Sequence, residues 1–91
     1  MKSRTTAQFR KLFTGLPEQV QQQARAAYRL FQEDPNYPSL HFKKVHPELP
    51  IYFYSARISK NYRAVGQVDG DTMIWFWIGS HAEYDKLLGQ M

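Results

Sequence analysis

Residues 52–80 read YFYSARISKNYRAVGQVDGDTMIWFWIGS. Three runs rich in β-branched and aromatic residues, Tyr52–Ile58, Tyr62–Val68 and Thr72–Ser80, are separated by two short polar links. Runs of this length and composition are strands, and links as short as Ser59-Lys60-Asn61 and Asp69-Gly70-Asp71 join neighbouring strands as hairpins. The stretch predicts an antiparallel meander of three strands. A fourth run, Leu40–Val45 (LHFKKV), precedes it across a looser link, His46–Pro50, that holds two prolines.

On the N-terminal side the period changes. Phe9, Leu12, Phe13 and Leu16 fall at i, i+3, i+4 and i+7, which predicts an amphipathic helix from about Thr5 to Leu16. Gly15-Leu16-Pro17 breaks it, and Pro17 suits the first position of a second helix. That helix, EQVQQQARAAYRLFQ, places Val20, Ala24, Ala27 and Phe31 on one stripe. It ends before Asp34-Pro35, because a residue preceding proline avoids the α region. At the other end, HAEYDKLLGQ reads as a short helix with Tyr84, Leu87 and Leu88 inward. Residues 1–91 thus form one α+β domain. A helical hairpin packs on a twisted, mainly antiparallel sheet of about four strands, and a short helix closes the chain.

Composition bounds the function. The chain has 91 residues, 43% hydrophobic and 15% aromatic, enough for one small packed core. It contains no cysteine, which excludes disulfides and cysteine-based zinc sites. The longest apolar run, MIWFWI, is too short to span a bilayer. MKSRTTAQF has no apolar signal-peptide core, so a cytoplasmic location without membrane attachment is expected. The net charge is +4. From His41 to Arg63 there are five basic residues and one acid, Glu48, a local surplus of 5 − 1 = +4. Such a bias fits a polyanion or an acidic protein partner, or else a lysine-decorated sheet edge.

Candidate chemistry centres on Arg57 and Arg63. If Ser59-Lys60-Asn61 is a three-residue loop with Asn61 left-handed, the two arginines lie opposite each other on one sheet face. Like charges opposite each other repel, so an anion between them explains the pair, and the guanidinium fork suits phosphate. If the loop has two residues, they face opposite sides. Lys43, Lys44 and Lys60 are candidate phosphate or RNA contacts. Alternation allows only one of Lys43 and Lys44 on the arginine face. His41, His46 and His81 have no metal-ligand spacing, so no metal site and no cofactor are expected. Ser80-His81-Ala82-Glu83 matches the S-x-x-E capping box, which gives Ser80 and Glu83 structural work. His81 then sits on the first helical turn, where no capping rule asks for histidine. Tyr84, three residues on, is a core residue, an active-site phenol or a base-stacking ring.

SARISKNYRAVGQV on adjacent strands, SLHFKKVHP before it and WIGSHAEYDKL after it together resemble the RelE/ParE superfamily of type II toxin–antitoxin toxins. The resemblance runs from about Gln8 to Leu88. It implies a metal-independent endoribonuclease that cleaves mRNA on the ribosome by 2′-OH attack and stops translation. Arg63 takes the place of the strand arginine at the scissile phosphate, and Arg57 that of a basic residue on the preceding strand. His81 falls near a C-terminal arginine or histidine, Tyr84 matches more loosely, and Lys43 and Lys44 fit general RNA-binding positions. Ser55 and Ala56 stand where the resemblance leads one to expect a second basic group. The superfamily also implies two other functions: a ParE-like, non-enzymatic inhibitor of DNA gyrase, and an inactive antitoxin-binding module. A cognate antitoxin is implied in every case, as an acidic segment that folds on the basic surface and covers the site. Whether His81 joins the arginine face depends on the Asp69-Gly70-Asp71 turn. A three-residue loop brings it there, and a two-residue turn sends it to the other face.

Overall fold

The computed structural model describes residues 2–46 and 52–91. Most of the expected link His46–Pro50 lies outside them. The chain runs β1 (Lys2–Thr5), α1 (Ala7–Thr14), α2 (Glu18–Glu33), a 3₁₀ turn (Pro38–Leu40), β2 (Lys43–Val45), β3 (Phe53–Ser59), β4 (Tyr62–Asp69), β5 (Thr72–Ser80) and α3 (His81–Gln90).

Both N-terminal helices follow their apolar spacing. Thr6 caps α1 by accepting from the Phe9 N–H at 3.1 Å, which satisfies one of the end donors. Pro17 is the residue just before α2, not its first turn. The stripe Val20, Ala24, Ala27 and Phe31 is buried. Two of the four residues are alanine, so α2 lies close to the sheet, over Ala56 and Ala64. Phe31 then meets Trp75 edge-on at 5.2 Å, a favoured aromatic geometry.

The sheet has five strands in the order β1-β5-β4-β3-β2. Four were expected. The extra one, β1, pairs in parallel with β5, from Lys2 opposite Thr72 to Thr5 opposite Trp75. KSRT carries no apolar alternation, so backbone pairing makes this strand, not side-chain burial. The Trp75 Nε1–H fastens it by donating to Ser3 Oγ at 3.1 Å. The strand expected over Leu40–Val45 is shorter than its composition promised. Pro38 opens a 3₁₀ turn that buries Leu40, and His41, left-handed at φ 43°, closes it. Only Lys43–Val45 remains to pair with β3.

Neither hairpin has a three-residue loop, and Asn61 is not left-handed. Ser59 pairs with Tyr62 across a two-residue turn, and the register slips once between Arg57 and Ser59. Asp69 pairs with Thr72 around Gly70-Asp71, with Gly70 at φ 63°, and the register slips once between Val65 and Gly66. A β-bulge adds one residue to one strand and so reverses the alternation beyond it. In each hairpin a two-residue turn plus one bulge gives the parity of a three-residue loop. Gly66 sits at the second bulge because a Cβ there would lie 2.4 Å from Met73 Cε and 2.7 Å from the Ile74 carbonyl.

The two faces are covered differently. The hairpin lies on the face of Ala56, Ala64, Met73, Trp75 and Ile78. Helix α3 lies on the other, with buried Tyr84 6.4 Å from the Trp77 ring. The inward placement expected for the helix holds for Tyr84, while Leu87 and Leu88 are half-buried. His46 Nε2 donates to the Leu88 carbonyl at 2.8 Å and ties the end of α3 to the end of β2.

Candidate anion and proton-transfer site

Arg57 and Arg63 are register partners on β3 and β4, so both belong to the α3 face. Further along, Arg63 pairs with Gly79 and Tyr62 with Ser80. The chain therefore enters α3 beside the β3–β4 turn. The His81 backbone N–H, one of the unpaired donors at a helix start, donates to the Asn61 carbonyl at 2.7 Å. The capping box forms in full: Ser80 Oγ accepts from the Glu83 N–H at 3.2 Å, and Glu83 Oε1 accepts from the Ser80 N–H at 3.1 Å. These bonds hold the Glu83 carboxyl below its usual range, the Ser80 backbone bond contributing most. Glu83 is a helix cap and a poor base. Gly79 precedes the box because a Cβ there would lie 2.7 Å from the Trp77 ring.

Two bulges and one cap thus place Arg57, Arg63, His81 and Tyr84 at one end of one face. The His81 and Tyr84 rings meet edge-on at 5.7 Å. Burial first, and then the like charge of Arg57, hold Arg63 below the usual arginine value, while Tyr84 and Asp85 pull the other way. Arg63 is also bound to the backbone. Its Nη1 donates to the carbonyls of Ser59 at 2.7 Å and Tyr62 at 2.9 Å, with a longer contact to Lys60 at 3.4 Å. Arg63 is therefore the clasp of the β3–β4 turn as well as half of the guanidinium pair. That use was not foreseen, because turn carbonyls carry no sequence signature. Among the described residues Tyr84 makes no side-chain hydrogen bond, yet no buried polar side-chain atom there lacks a partner. Its hydroxyl therefore keeps some contact with solvent although its ring is buried.

The lysines divide. Lys43 pairs with Ser55 and shares the arginine face, exposed. Lys44 pairs with Tyr54 on the hairpin face, and its Nζ lies 4.1 Å from the centroid of the Tyr52 ring, a cation–π contact. Lys60 is exposed on the turn. Ser55 and Ala56 are buried, 2% and 4% exposed, so charged groups there would be desolvated, not presented.

Two features escaped the sequence reading. The first is Asp85, whose Oδ2 lies 3.3 Å from His81 Nδ1. Its signal was the i, i+4 spacing of His81 and Asp85 on an expected helix. The second is an apolar cleft of about 590 Å³ on the opposite face, between the hairpin and the sheet. Its floor includes Phe31, Trp75 and Ile78, and Arg4, Arg10, Arg25 and Arg29 stand around it. These arginines come from β1, α1 and α2, so a count of charge by segment hides them. Among the described residues none of the four pairs with a carboxylate.

No group of three or more potential metal ligands comes together among the described residues. No helix there is long and apolar enough to cross a membrane.

A family described as "ParE-like toxin domain" matches residues 18–86. No curated protein sequence matches the chain. Among solved structures, the archaeal RelE–RelB complex from Pyrococcus horikoshii superposes with a TM-score of 0.69 at 15% identity, over 87% of this chain and 92% of that one. The RelB–RelE antitoxin–toxin complex from Methanococcus jannaschii gives 0.66 at 20% identity, over 91% and 95%. The RelBE2 toxin–antitoxin complex from Mycobacterium tuberculosis gives 0.59 at 21% identity, over 88% and 96%. At these identities the likeness is one of fold.

Proposed function

The chain belongs to the ParE-like toxin domain family, within the RelE/ParE superfamily of toxin–antitoxin toxins, and we propose that it is an endoribonuclease that cleaves ribosome-bound mRNA. The observation that carries this reading is the opposed pair Arg57 and Arg63 with His81 and Tyr84 at the same end of the face.

Two guanidinium groups on adjacent strands with an imidazole and a phenol beside them suit one step. A general base takes the proton of a ribose 2′-OH, and the oxygen attacks the adjacent phosphorus. The 5′-oxygen leaves as it is protonated, giving a 2′,3′-cyclic phosphate and a free 5′-hydroxyl. The arginines meet the charge that grows on the phosphorane, and proton transfer supplies roughly 10²- to 10⁴-fold. The step requires no metal. Without one, much of the remaining acceleration comes from holding the mRNA in an attack geometry, which the ribosome supplies. Lys43 and Lys60 extend the positive surface toward neighbouring phosphates. Lys44, on the other face, is not part of this contact.

The partner in the resting cell is a cognate antitoxin, in the cytoplasm. Its acidic, apolar-striped segment fits the cleft ringed by Arg4, Arg10, Arg25 and Arg29, where apolar floor and cationic rim match one amphipathic helix. The structural neighbours that were solved as toxin–antitoxin complexes support an antitoxin partner.

A second reading has its own support. The matching family is named for ParE, and Arg63 has a structural use on the β3–β4 turn. A non-enzymatic inhibitor of DNA gyrase would need neither His81 nor a free guanidinium pair. Induction in a bacterial host separates the two. Loss of translation that disappears in His81→Ala and Arg57→Ala supports the ribonuclease. Unchanged toxicity in His81→Ala, with DNA damage and intact mRNA, supports gyrase. No toxicity at all leaves an inactive antitoxin-binding module.

A further inference from the structure

We propose that Asp85 is a positioning residue that makes His81 the general base of the cluster. This inference rests on the ribonuclease reading.

Asp85 lies one helical turn beyond His81 on α3, its Oδ2 3.3 Å from the imidazole Nδ1. The same carboxylate acts on Arg63, raising its pKa against the burial and the Arg57 charge that lower it. One acid thus faces both a proton-transfer candidate on α3 and the guanidinium pair on β3 and β4. Its contribution to helix stability is small. The pair is exposed, 48% for His81 and 64% for Asp85, and exposed i, i+4 pairs add little to a fold.

A neutral imidazole has one N–H donor and one acceptor nitrogen, and the partner of one nitrogen decides which is which. A carboxylate at Nδ1 holds the proton there and leaves Nε2 as the acceptor. His81 is then set to receive a proton, not to give one. Nε2 takes the 2′-OH proton as the 2′-oxygen bonds to phosphorus. The bond from phosphorus to the 5′-oxygen breaks, and that oxygen takes its proton from the Tyr84 hydroxyl. The imidazolium then returns a proton to the Tyr84 phenolate through solvent. Base and acid so lie on one turn of α3, their rings 5.7 Å apart, and both are restored.

Two measurements on the full chain test the proposal. The first is the ¹⁵N NMR tautomer of His81. The expected wild-type proton is on Nδ1. In Asp85→Ala it moves to Nε2, the nitrogen that a free imidazole prefers. The second is single-turnover cleavage of mRNA on stalled ribosomes. Asp85→Ala should slow the step roughly tenfold or more, a share of what proton transfer provides, without weakening ribosome binding, and Asp85→Glu should recover part of the loss. An Nε2–H tautomer in the wild type, or Asp85→Ala cutting at the wild-type rate, overturns the proposal. A wild-type chain with the Nδ1–H tautomer that cuts nothing overturns the ribonuclease reading and the base role with it, while the pairing stands.

Discussion

Arg57 and Arg63 stand directly opposite each other across β3 and β4, but only Arg63 is tied to the backbone, through the carbonyls of the turn between them. Two similar residues therefore have different consequences. Arg63→Ala should destabilise the domain by about 1–3 kcal/mol, because it strips donors from half-buried carbonyls, and should also end toxicity. Arg57→Ala should end or sharply reduce toxicity while staying within about 0.5 kcal/mol of wild type. Urea unfolding beside growth assays resolves the two effects. Equal destabilisation by both would mean that Arg57 is structural too.

Gly66→Ala tests the bulge that sets the parity of β5. The added methyl group meets Met73 Cε, the Ile74 carbonyl and the Trp75 ring. The methionine can move, but the carbonyl belongs to the strand. Overpacking of this kind costs about 1–3 kcal/mol, and the urea midpoint should fall accordingly. A midpoint equal to wild type would show that the bulge yields freely.

Trp75→Phe keeps most of the apolar surface and removes the donor to Ser3 Oγ. The loss should be about 0.5–1.5 kcal/mol plus a small packing term. Hydrogen exchange should show faster opening of Lys2–Thr5 than of β3 and β4, since β1 pairs with β5 alone. Uniform acceleration across the sheet would contradict the view that this bond fastens β1 in particular.

The Ser80 and Glu83 box gives α3 a pH-dependent anchor. Glu83 is held below its usual pKa mainly by the Ser80 backbone bond. Its contribution is therefore complete above the unfolded-state value of about 4.3 and is lost as pH falls through the lower folded-state value. Glu83→Gln should flatten that part of the stability–pH curve, and Ser80→Ala should cost about 1 kcal/mol at neutral pH. Because Glu83 is exposed, the acid-side effect will be small. A larger loss in Glu83→Gln at pH 3 than at pH 6 would reverse the assigned sign.

The sheet and the helical hairpin were legible because turn residues and apolar periods mark their own boundaries. β1 was not, since KSRT is held by backbone pairing and one tryptophan donor, and neither leaves an apolar pattern. The candidate face was legible for an incomplete reason. A three-residue loop was the expected route to bringing His81 beside the arginines, and the structure reaches the same parity with two-residue turns and bulges. A bulge depends on which strand carries an extra residue, and Gly66 was its only trace in the sequence. Asp85 is visible only by its i, i+4 spacing from His81, a weak signal because carboxylates are common on exposed helix faces. The arginine rim was hidden because its members are near one another only in space.

The most direct test of the central claim is the chemistry of the RNA ends. Purified protein is mixed with stalled ribosome–mRNA complexes, and the fragments are typed by end-specific ligation and phosphatase treatment. Wild type should yield 2′,3′-cyclic phosphate and 5′-hydroxyl ends at ribosome-engaged positions, with the signal lost in Arg57→Ala and His81→Ala. Intact mRNA under conditions in which the same preparation blocks DNA supercoiling by gyrase would contradict the ribonuclease account.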